Sequence, residues 1–431
     1  MHFTKKLICL LLCIAALALP LLSCDKDPAE NSSGAAAASG ADSETSEGPT
    51  VYVADVPVVD LDGRVFRVLC RDYSYGSTSV TGFNGEVIQR PDYDEATAGI
   101  VDQAKAEVRR RVEERYNCTI EGDFDHGTST QFNDIIRNGV LSGSGTYDMV
   151  FDAYGYSSLL VTDNMYVDLN TIESLNFDQP WWDQQAVEQL SIDNKLYFVC
   201  GDILYSDDER THMLFFNKDL IAENKLDNPY DLVREGTWTL DRLYEMARTV
   251  AVDNGDGVMD ATTGDTWGFV GAAFDTYKFI LGCDAPMVEK DENDVPVISV
   301  LNTKNVDAFM KTYDMMTDKS CFAYLEMFYR WDDSAGRETF YDHFYSGKAL
   351  FMADNICALN SAKMQDSSVN YGVLPLPKYN EEQTHYASTI NPYKFTCVSL
   401  PRDTFVDTDK TTFLLEAMAY YNKSEVTPLY Y

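Results

Sequence analysis

The sequence carries many side chains with catalytic potential, but not in the spacings that catalytic sites use. Its five histidines are scattered, and it contains no H-E-x-x-H, G-x-S-x-G or G-x-x-x-x-G-K motif. With 69 Asp and Glu residues, some carboxylates must lie close together by chance, so a close pair is no evidence for acid–base catalysis. The residue types therefore favour binding over catalysis without excluding an enzyme.

Aromatic side chains beside carboxylates offer a different chemistry, the binding of a polar ligand. Aromatic rings pack against the C–H faces of a ligand, while carboxylates and amides bind its hydroxyl groups. Trp181 and Trp182 precede Asp183, and Trp331 precedes two further aspartates. Each tryptophan keeps two interpretations, contact with a ligand or packing within the protein.

The segment 253–260, DNGDGVMD, has the composition of a calcium loop. Aligning its second glycine with the invariant glycine of such loops places Asn254, Asp256 and Asp260 at the third, fifth and ninth ligand positions. The first and twelfth positions then lack a carboxylate. Two interpretations stay open, a structural calcium site and a plain turn rich in Asp and Gly. No other cofactor is expected.

These candidates depend on strands and helices that alternate from about residue 60 onward. The predicted elements are strand 64–70, helix 97–116, strand 118–120, helix 130–141, strand 147–151 and a further strand at 195–202. The nearly continuous apolar strands and the βαβαβ order predict an α/β fold with a parallel sheet covered on both faces.

In parallel sheets, ligands bind beyond the carboxyl ends of the strands. The residues that follow predicted strands are Arg71, Asp72 and Tyr73, then Asp152 and Tyr154, and finally Asp354 and Asn355. We predict that these residues bind the ligand. The alternative is that some of them only cap the helix that follows.

The N-terminus predicts export and anchoring. Residues 1–23 have the two lysines and the sixteen-residue apolar run of a signal peptide, and Leu21-Leu22-Ser23-Cys24 resembles the bacterial lipobox. We predict lipidation of Cys24 and a location on the extracytoplasmic face of the cell membrane, with an ordinary signal peptide as the alternative. Residues 24–59 are rich in Ala, Ser, Gly and acidic residues, which is typical of a flexible linker.

Composition excludes several classes of protein. The 431 residues suffice for two domains, and 45% hydrophobic residues exclude global disorder. A formal net charge of −35 argues against nucleic acid as a partner, because phosphate binding needs clustered Lys and Arg. Seven of the ten cysteines lie in the body of the chain without a metal-binding spacing, and we interpret them as small buried hydrophobes, with one disulfide possible.

Four segments resemble the carbohydrate-type solute-binding lipoproteins of bacterial ABC importers, the family of maltose-binding protein. The most specific runs from 215 to 240 and reads FFNKDL, then ENKLDNPY, then GTWTL. Supporting segments are YDMV at 147–150, FYSGKALF at 344–351 and YGVLPLPKY at 371–379. They occur in the family's order and span roughly residues 60–431.

The resemblance implies a type II periplasmic-binding-protein fold, in which two hinged α/β lobes close on a ligand. It assigns residues 60–205 and 352–400 to lobe one, and residues 213–345 and 405–431 to lobe two. The family's chains continue beyond the segment matching the end of this one, so we expect a C-terminal truncation. The charged run 207–209 would lie at the crossing between lobes, and we interpret it as a solvated surface.

The function implied is that of a monomeric receptor that captures a sugar or oligosaccharide and delivers it to the permease subunits of an importer. Contact with the membrane would be through the lipid anchor alone. The alternatives are a secreted carbohydrate-active enzyme and a surface lipoprotein with no role in transport.

Overall fold

Strands form where short runs of apolar and β-branched residues are flanked by turn residues, and the sequence predicts the first three of these strands. The computed structural model describes residues 59–72, 88, 93–204, 208–260, 264–330, 333–403 and 408–430. Its strands are β1 Arg64–Arg71, β2 Cys118–Asp125, β3 Met149–Ala153, β4 His212–Asn217, β5 Trp267–Gly271, β6 Val288–Lys290, β7 Pro296–Ile298, β8 Phe322–Tyr324, β9 Ala349–Asn355, β10 Tyr371–Leu374 and β11 Thr396–Ser399.

Several helices begin and end at recognisable capping residues. Thr128 and Gln131 form a capping box at the start of the helix Ser129–Ser142, and Gly143 ends it with a φ of 65°. The α-helices are α1 Ile100–Tyr116, α2 Ser129–Ser142, α3 Tyr154–Ser157, α4 Gln184–Leu190, α5 Lys218–Glu223, α6 Pro229–Arg234, α7 Leu240–Val250, α8 Asp275–Gly282, α9 Thr303–Met316, α10 Ser334–Tyr345, α11 Ala362–Asp366, α12 Thr408–Glu425 and α13 Thr427–Tyr430.

The first lobe is built on a four-stranded sheet in the order β11-β3-β1-β2. Strand β1 pairs in parallel with β2 and β3, and β11 adds an antiparallel edge strand. Its core includes Phe66 and Val150 from the strands and Val112 from α1. The predicted βαβαβ unit and its mostly parallel sheet are therefore confirmed.

The second lobe is built on a five-stranded sheet in the order β10-β4-β9-β5-β8. Strands β5, β8 and β9 run parallel, and β4 is antiparallel to both of its neighbours. Separate cores cover its two faces, one containing Phe269 and Leu243 and the other containing Phe215 and Phe344. The fold is a two-lobed α/β fold in which helices flank both sheets.

Two segments connect the lobes, residues 208–211 on the outward path and 388–395 on the return path. They pair with each other where Thr211 bridges Ile390, and the His212 N–H donates to the Thr389 carbonyl at 2.9 Å. Both β4 and β11 begin directly beside this crossing. Because β4 pairs with the end of β9 and β11 pairs with the end of β3, the carboxyl ends of both sheets lie at the crossing.

The lobe boundaries taken from the resemblance are wrong for two segments. Strands β9 and β10 hydrogen-bond to β4, so residues from 352 to the return crossing belong to the second lobe rather than the first. The helix α12 packs on α1 and contributes Leu414 and Met418 to the first lobe's core, although the resemblance assigned it to the second. Pairing partners, which decide lobe membership, are far apart in sequence.

The predicted strand at 195–202 is also wrong. That segment is extended but makes only isolated bridges, from Lys195 to Ile192, from Val199 to Val398 and from Gly201 to Trp182. Its apolar side chains Leu196, Phe198 and Cys200 fill the first lobe's core all the same. The apolar pattern therefore predicts correctly that this segment is buried, but it does not predict whether the segment belongs to a sheet.

The seven cysteines of the body are buried, which confirms their interpretation as core residues. Burial raises the pKa of the Cys118 thiol to about 11 and that of Cys283 to about 12, so neither thiol is a reactive thiolate at neutral pH. Among the described residues, no helix has both the length and the apolar character needed to cross a bilayer.

Candidate functional site

A buried ion pair stands at the carboxyl end of the first lobe's sheet. Arg71 ends β1 and Asp152 lies in the neighbouring β3, and their side chains approach to 3.5 Å with 5% and 0% exposure. Burial raises the pKa of Asp152 to about 7, because Arg71 offsets only part of the cost of desolvation. The second carboxylate oxygen, Oδ2, has no hydrogen-bond partner among the described residues.

Aromatic rings hold Arg71 in place and extend the surface beside it. The guanidinium lies 4.7 Å from the centroid of the Tyr156 ring and 5.5 Å from that of Phe132. Tyr156 in turn contacts Tyr393 of the return crossing, with 5.1 Å between ring centroids. Tyr393 is 41% exposed, so its ring offers an open platform at the crossing.

The next predicted residue, Asp72, is buried and faces the end of the second strand. Its carboxylate lies 3.4 Å from Nδ1 of His126, an exposed residue that follows β2. The backbone N–H of Asp72 donates to the Asp125 carbonyl at 2.8 Å. The sequence therefore correctly placed Arg71, Asp72 and Asp152 at one sheet edge, whereas Tyr73 lies outside the described residues.

Tyr154 does not join this group. It is 2% exposed and its ring packs edge-on against Phe198 in the core, 5.3 Å between centroids. The helix α3 starts at Tyr154, so the side chain two residues later, Tyr156, points to the other side and reaches Arg71. The prediction chose Tyr154 by its position after a strand, and that position does not tell which side chain of the helix that follows faces the sheet edge.

The adjacent tryptophans lie in the first lobe's core. Trp181 and Trp182 are each 2% exposed, and both indole N–H groups donate to Glu416 of α12, at 2.6 and 3.2 Å. Burial raises the pKa of Glu416, although the hydrogen bonds from Asn176 and the two indoles act to lower it. The prediction that one of these tryptophans binds the ligand is therefore wrong. Trp331 lies outside the described residues.

The corresponding edge of the second lobe carries acidic, amide and basic groups. Asp354 and Asn355 end β9, as predicted, with Asn355 2% exposed. After β5, Asp275 and Lys278 form a buried ion pair at 2.7 Å. Burial raises the pKa of Asp275, and Lys278 counteracts this. The Phe274 ring, 43% exposed, lies beneath the Lys278 ammonium at 4.5 Å.

The crossing itself contributes polar side chains with unused hydrogen-bonding capacity. His212 pairs with Asn355 across the sheet, and His212 Nδ1 and Asn355 Oδ1 are buried without partners in the described part of the chain. Arg210 is 4% exposed, and its guanidinium makes no hydrogen bond or ion pair within the described ranges. Buried polar groups are normally paired, so these groups are candidates for ligand contact.

Electrostatics keep His212 uncharged. Burial lowers its pKa well below the ordinary value, and the positive charges of Lys278 and Lys394 lower it further. A neutral imidazole has one donor and one acceptor nitrogen, which suits a hydroxyl group.

Several of these residues escaped prediction. Arg210 follows the acidic run that was interpreted as a solvated surface, yet Glu209 is 3% exposed, and that interpretation is wrong for this residue. Tyr393, Phe274 and His212 follow no motif. The closest signal is the resemblance, which places a lobe crossing near Arg210 and makes polar residues there candidates.

The calcium candidate lies in a turn away from both sheet edges. Asp253 Oδ1 accepts the Gly255 and Gly257 N–H groups, and Asp265 accepts the Asn254 and Asp260 N–H groups. Across the described residues, no group of three or more His, Cys, Asp or Glu side chains is arranged to hold a metal ion. The turn is accounted for by its own hydrogen bonds, and calcium at Asn254, Asp256 and Asp260 stays a prediction.

No protein-family model and no curated protein sequence matches the chain, but solved structures do. A family 1 extracellular solute-binding protein from Bifidobacterium longum subsp. infantis has a TM-score of 0.52 at 13% identity, covering 85% of this chain and 79% of that one. A cyclo/maltodextrin-binding protein complexed with maltotetraose has a TM-score of 0.51 at 14% identity, with coverages of 85% and 79%.

A sugar transporter protein from Rhizobium etli in an open conformation has a TM-score of 0.51 at 14% identity, covering 82% of this chain and 75% of that chain. At such low identities the likeness shows the fold. The chain therefore has the two-lobed type II fold of solute-binding proteins, as the resemblance implied.

Proposed function

We propose that this protein is the solute-binding component of an ABC importer and that its ligand is a carbohydrate or oligosaccharide. The fold shared with an extracellular solute-binding protein, a cyclo/maltodextrin-binding protein and a sugar transporter protein supports the proposal, and so does the order of the sequence segments that resemble the family. The same resemblance supports a lipid anchor on Cys24, a place on the outer face of the membrane and the permease as partner.

One observation carries the proposed ligand class, the presence of unpaired polar groups and exposed rings at the crossing and at the adjoining edge of the second lobe's sheet. Arg210, His212 and Asn355 have unused hydrogen-bonding capacity, and Tyr393 and Phe274 are 41% and 43% exposed. A sugar has hydroxyl groups for the first set and C–H faces for the second. Neither set alone would distinguish a sugar from another polar or apolar solute.

The proposed mechanism is capture by lobe closure. Ligand would bind first to one sheet edge, and rotation about segments 208–211 and 388–395 would add contacts from the other edge. Because Tyr393 and Arg210 lie on these two segments, the ligand would contact the hinge itself. The closed form would then be the one that the permease binds.

A glycan panel tests the proposal and separates it from its rivals. We expect saturable binding in isothermal titration calorimetry without products in chromatography of the incubated glycan. Release of shorter glycans would establish a carbohydrate-active enzyme. Absence of both binding and turnover across the panel would leave a surface lipoprotein with no role in transport and refute the proposal.

Two aromatic substitutions then test the location of the site. With a ligand found in the panel, Tyr393→Ala and Phe274→Ala should each weaken binding about tenfold, because each removes a ring stacked on the sugar. Tyr313→Ala and Phe309→Ala are matched controls, since these rings are 49% and 46% exposed on α9, away from the crossing. Equal losses in both pairs would place the site elsewhere.

A further inference from the structure

A tight turn of the first lobe projects backbone donors toward the second lobe. Ile192 and Lys195 exchange both of their backbone hydrogen bonds, at 2.9 and 3.0 Å, around the two residues Asp193 and Asn194. These two have φ values of 53° and 58°, the left-handed conformation that a two-residue type I′ turn requires at both positions. The geometry leaves their N–H groups free to bind a group outside the turn.

The second lobe presents a hairpin to this turn. Strands β6 and β7 pair from Val288 with Ile298 to Lys290 with Pro296. The loop between them is fixed from within, because Asp291 Oδ1 accepts the N–H groups of Asn293 and Val295, both at 2.9 Å. Its Asp294 has a φ of 61°, and its carboxylate lies between Lys290 of the hairpin and the turn of the first lobe.

Asp294 is the centre of the contact between the two turns. Its carbonyl accepts the Asp193 N–H at 2.9 Å, and its carboxylate accepts the Asn194 N–H and the Ser191 hydroxyl, each at 3.0 Å. Although burial acts to raise it, hydrogen bonds from Lys290, Asn194 and Ser191 bring the pKa of Asp294 below its ordinary value. The carboxylate is therefore ionised throughout the physiological range.

Lys290 completes the contact from the same side. Its ammonium lies 2.6 Å from the Asp294 carboxylate and donates to the Ser191 hydroxyl at 2.8 Å and to the Glu188 carbonyl at 2.5 Å. The ion pair is 25% and 18% exposed, so water screens it only in part. Hydrogen bonds that Lys290 donates and Asp294 accepts thus reach residues 188–194 of the other lobe.

We propose that the hairpin β6–β7 is a clasp that docks on the turn 191–194 and holds the two lobes in the arrangement described here. Segments 208–211 and 388–395 join the lobes covalently, whereas the hairpin meets the turn through non-covalent bonds between described residues. Lobe rotation can therefore break and remake the clasp. Its bonds are polar and lie outside both lobe cores, so each lobe keeps its core when the clasp opens.

Distances between the lobes test the clasp without any ligand. Fluorophores attached through unnatural amino acids at Leu141 in the first lobe and Val306 in the second, both exposed, would report the distribution by single-molecule energy transfer. Asp294→Asn and Lys290→Met should increase the population of other arrangements about tenfold, as expected from losing charged hydrogen bonds. Asparagine also tolerates the left-handed backbone, so the hairpin should survive.

The matched control is Glu292→Gln, which removes one negative charge from an exposed position of the same loop. It should leave the distance distribution unchanged, and all three variants should keep the far-ultraviolet circular dichroism and melting profile of the parent. If the distributions of Asp294→Asn and Lys290→Met coincide with those of the parent and the control, the clasp does not hold the lobes and the proposal is overturned.

A second readout rests on the proposed function. With a glycan ligand in hand, clasp variants should bind it with an altered affinity, because the populations of binding-competent arrangements change. Failure to find a ligand would refute the sugar receptor and leave the distance experiment intact. Unchanged distances would refute the clasp while leaving the receptor intact.

Discussion

Replacing Glu416 tests how the first lobe is held together. This glutamate of α12 is 4% exposed and accepts three hydrogen bonds, from the Asn176 N–H at 2.7 Å and from the indoles of Trp181 and Trp182. It ties the last long helix to a loop more than 230 residues earlier in the chain. Glu416→Ala leaves all three donors without their acceptor.

The expected loss of stability follows from two opposed effects. A buried donor without a hydrogen-bond acceptor costs about 1–3 kcal/mol of folding free energy. Leaving three such donors is therefore the larger, destabilising effect. Against this, burial raises the pKa of Glu416, so removing the carboxylate also removes a desolvation cost. We expect a net loss of about 2–4 kcal/mol, which lowers the melting temperature of a lobe of this size by about 5–15 °C.

Tryptophan fluorescence and near-ultraviolet circular dichroism would follow unfolding, because two of the five tryptophans are the partners of Glu416. The control is Glu425→Ala on the same helix, whose ion pair with Arg111 is 32% and 39% exposed and should contribute about 0–1 kcal/mol. If the two variants melt within 2 °C of each other, Glu416 does not anchor the tryptophans and the reasoning fails.

Two further predictions concern charge and processing. Burial raises the pKa of Asp152 from 3.8 to about 7. The buried carboxylate therefore destabilises the folded state at a pH above about 7, where it is ionised, and has no such effect at a pH below 3.8, where it is protonated in both the folded and the unfolded state. Relative to Asp152→Asn, the free energy of unfolding of the parent should therefore fall between about pH 4 and pH 7 in urea titrations, and a constant difference would contradict this. Lipidation of Cys24 should carry the protein into the detergent phase of a Triton X-114 partition, whereas Cys24→Ala should stay in the aqueous phase; equal partitioning would favour an ordinary signal peptide.

The residues of the candidate site could be predicted where polar side chains lie at the ends of strands. They could not be predicted where the chain crosses between the lobes. Arg71, Asp72 and Asp152 end neighbouring parallel strands, so the rule for parallel sheets places them together. Asn355 was found in the same way. Tyr393 lies on the return crossing, where neither periodicity nor a motif marks a residue, and its role depends on contact with a ring 237 positions earlier.

The tryptophans illustrate the opposite error. Residue type made Trp181 and Trp182 the most attractive ligand contacts, yet the same apolar area and indole N–H make a tryptophan a good core residue when a buried acceptor is available. That acceptor is Glu416, which approaches only after α12 packs on the first lobe. No local pattern could have distinguished the two outcomes.

By itself, the sequence determined the alternation of strands and helices that opens the first lobe, because the period of apolar residues and the capping residues act locally; it misjudged segment 195–202, whose burial depends on the rest of the lobe. It also determined that the body has enough apolar residues for cores. Only the tertiary structure decided which lobe β9, β10 and α12 join, which buried polar groups stay unpaired at the crossing and that Asp294 meets a turn 100 residues earlier. These outcomes depend on hydrogen-bond partners and packing surfaces brought together by folding, and sequence spacing carries no record of them.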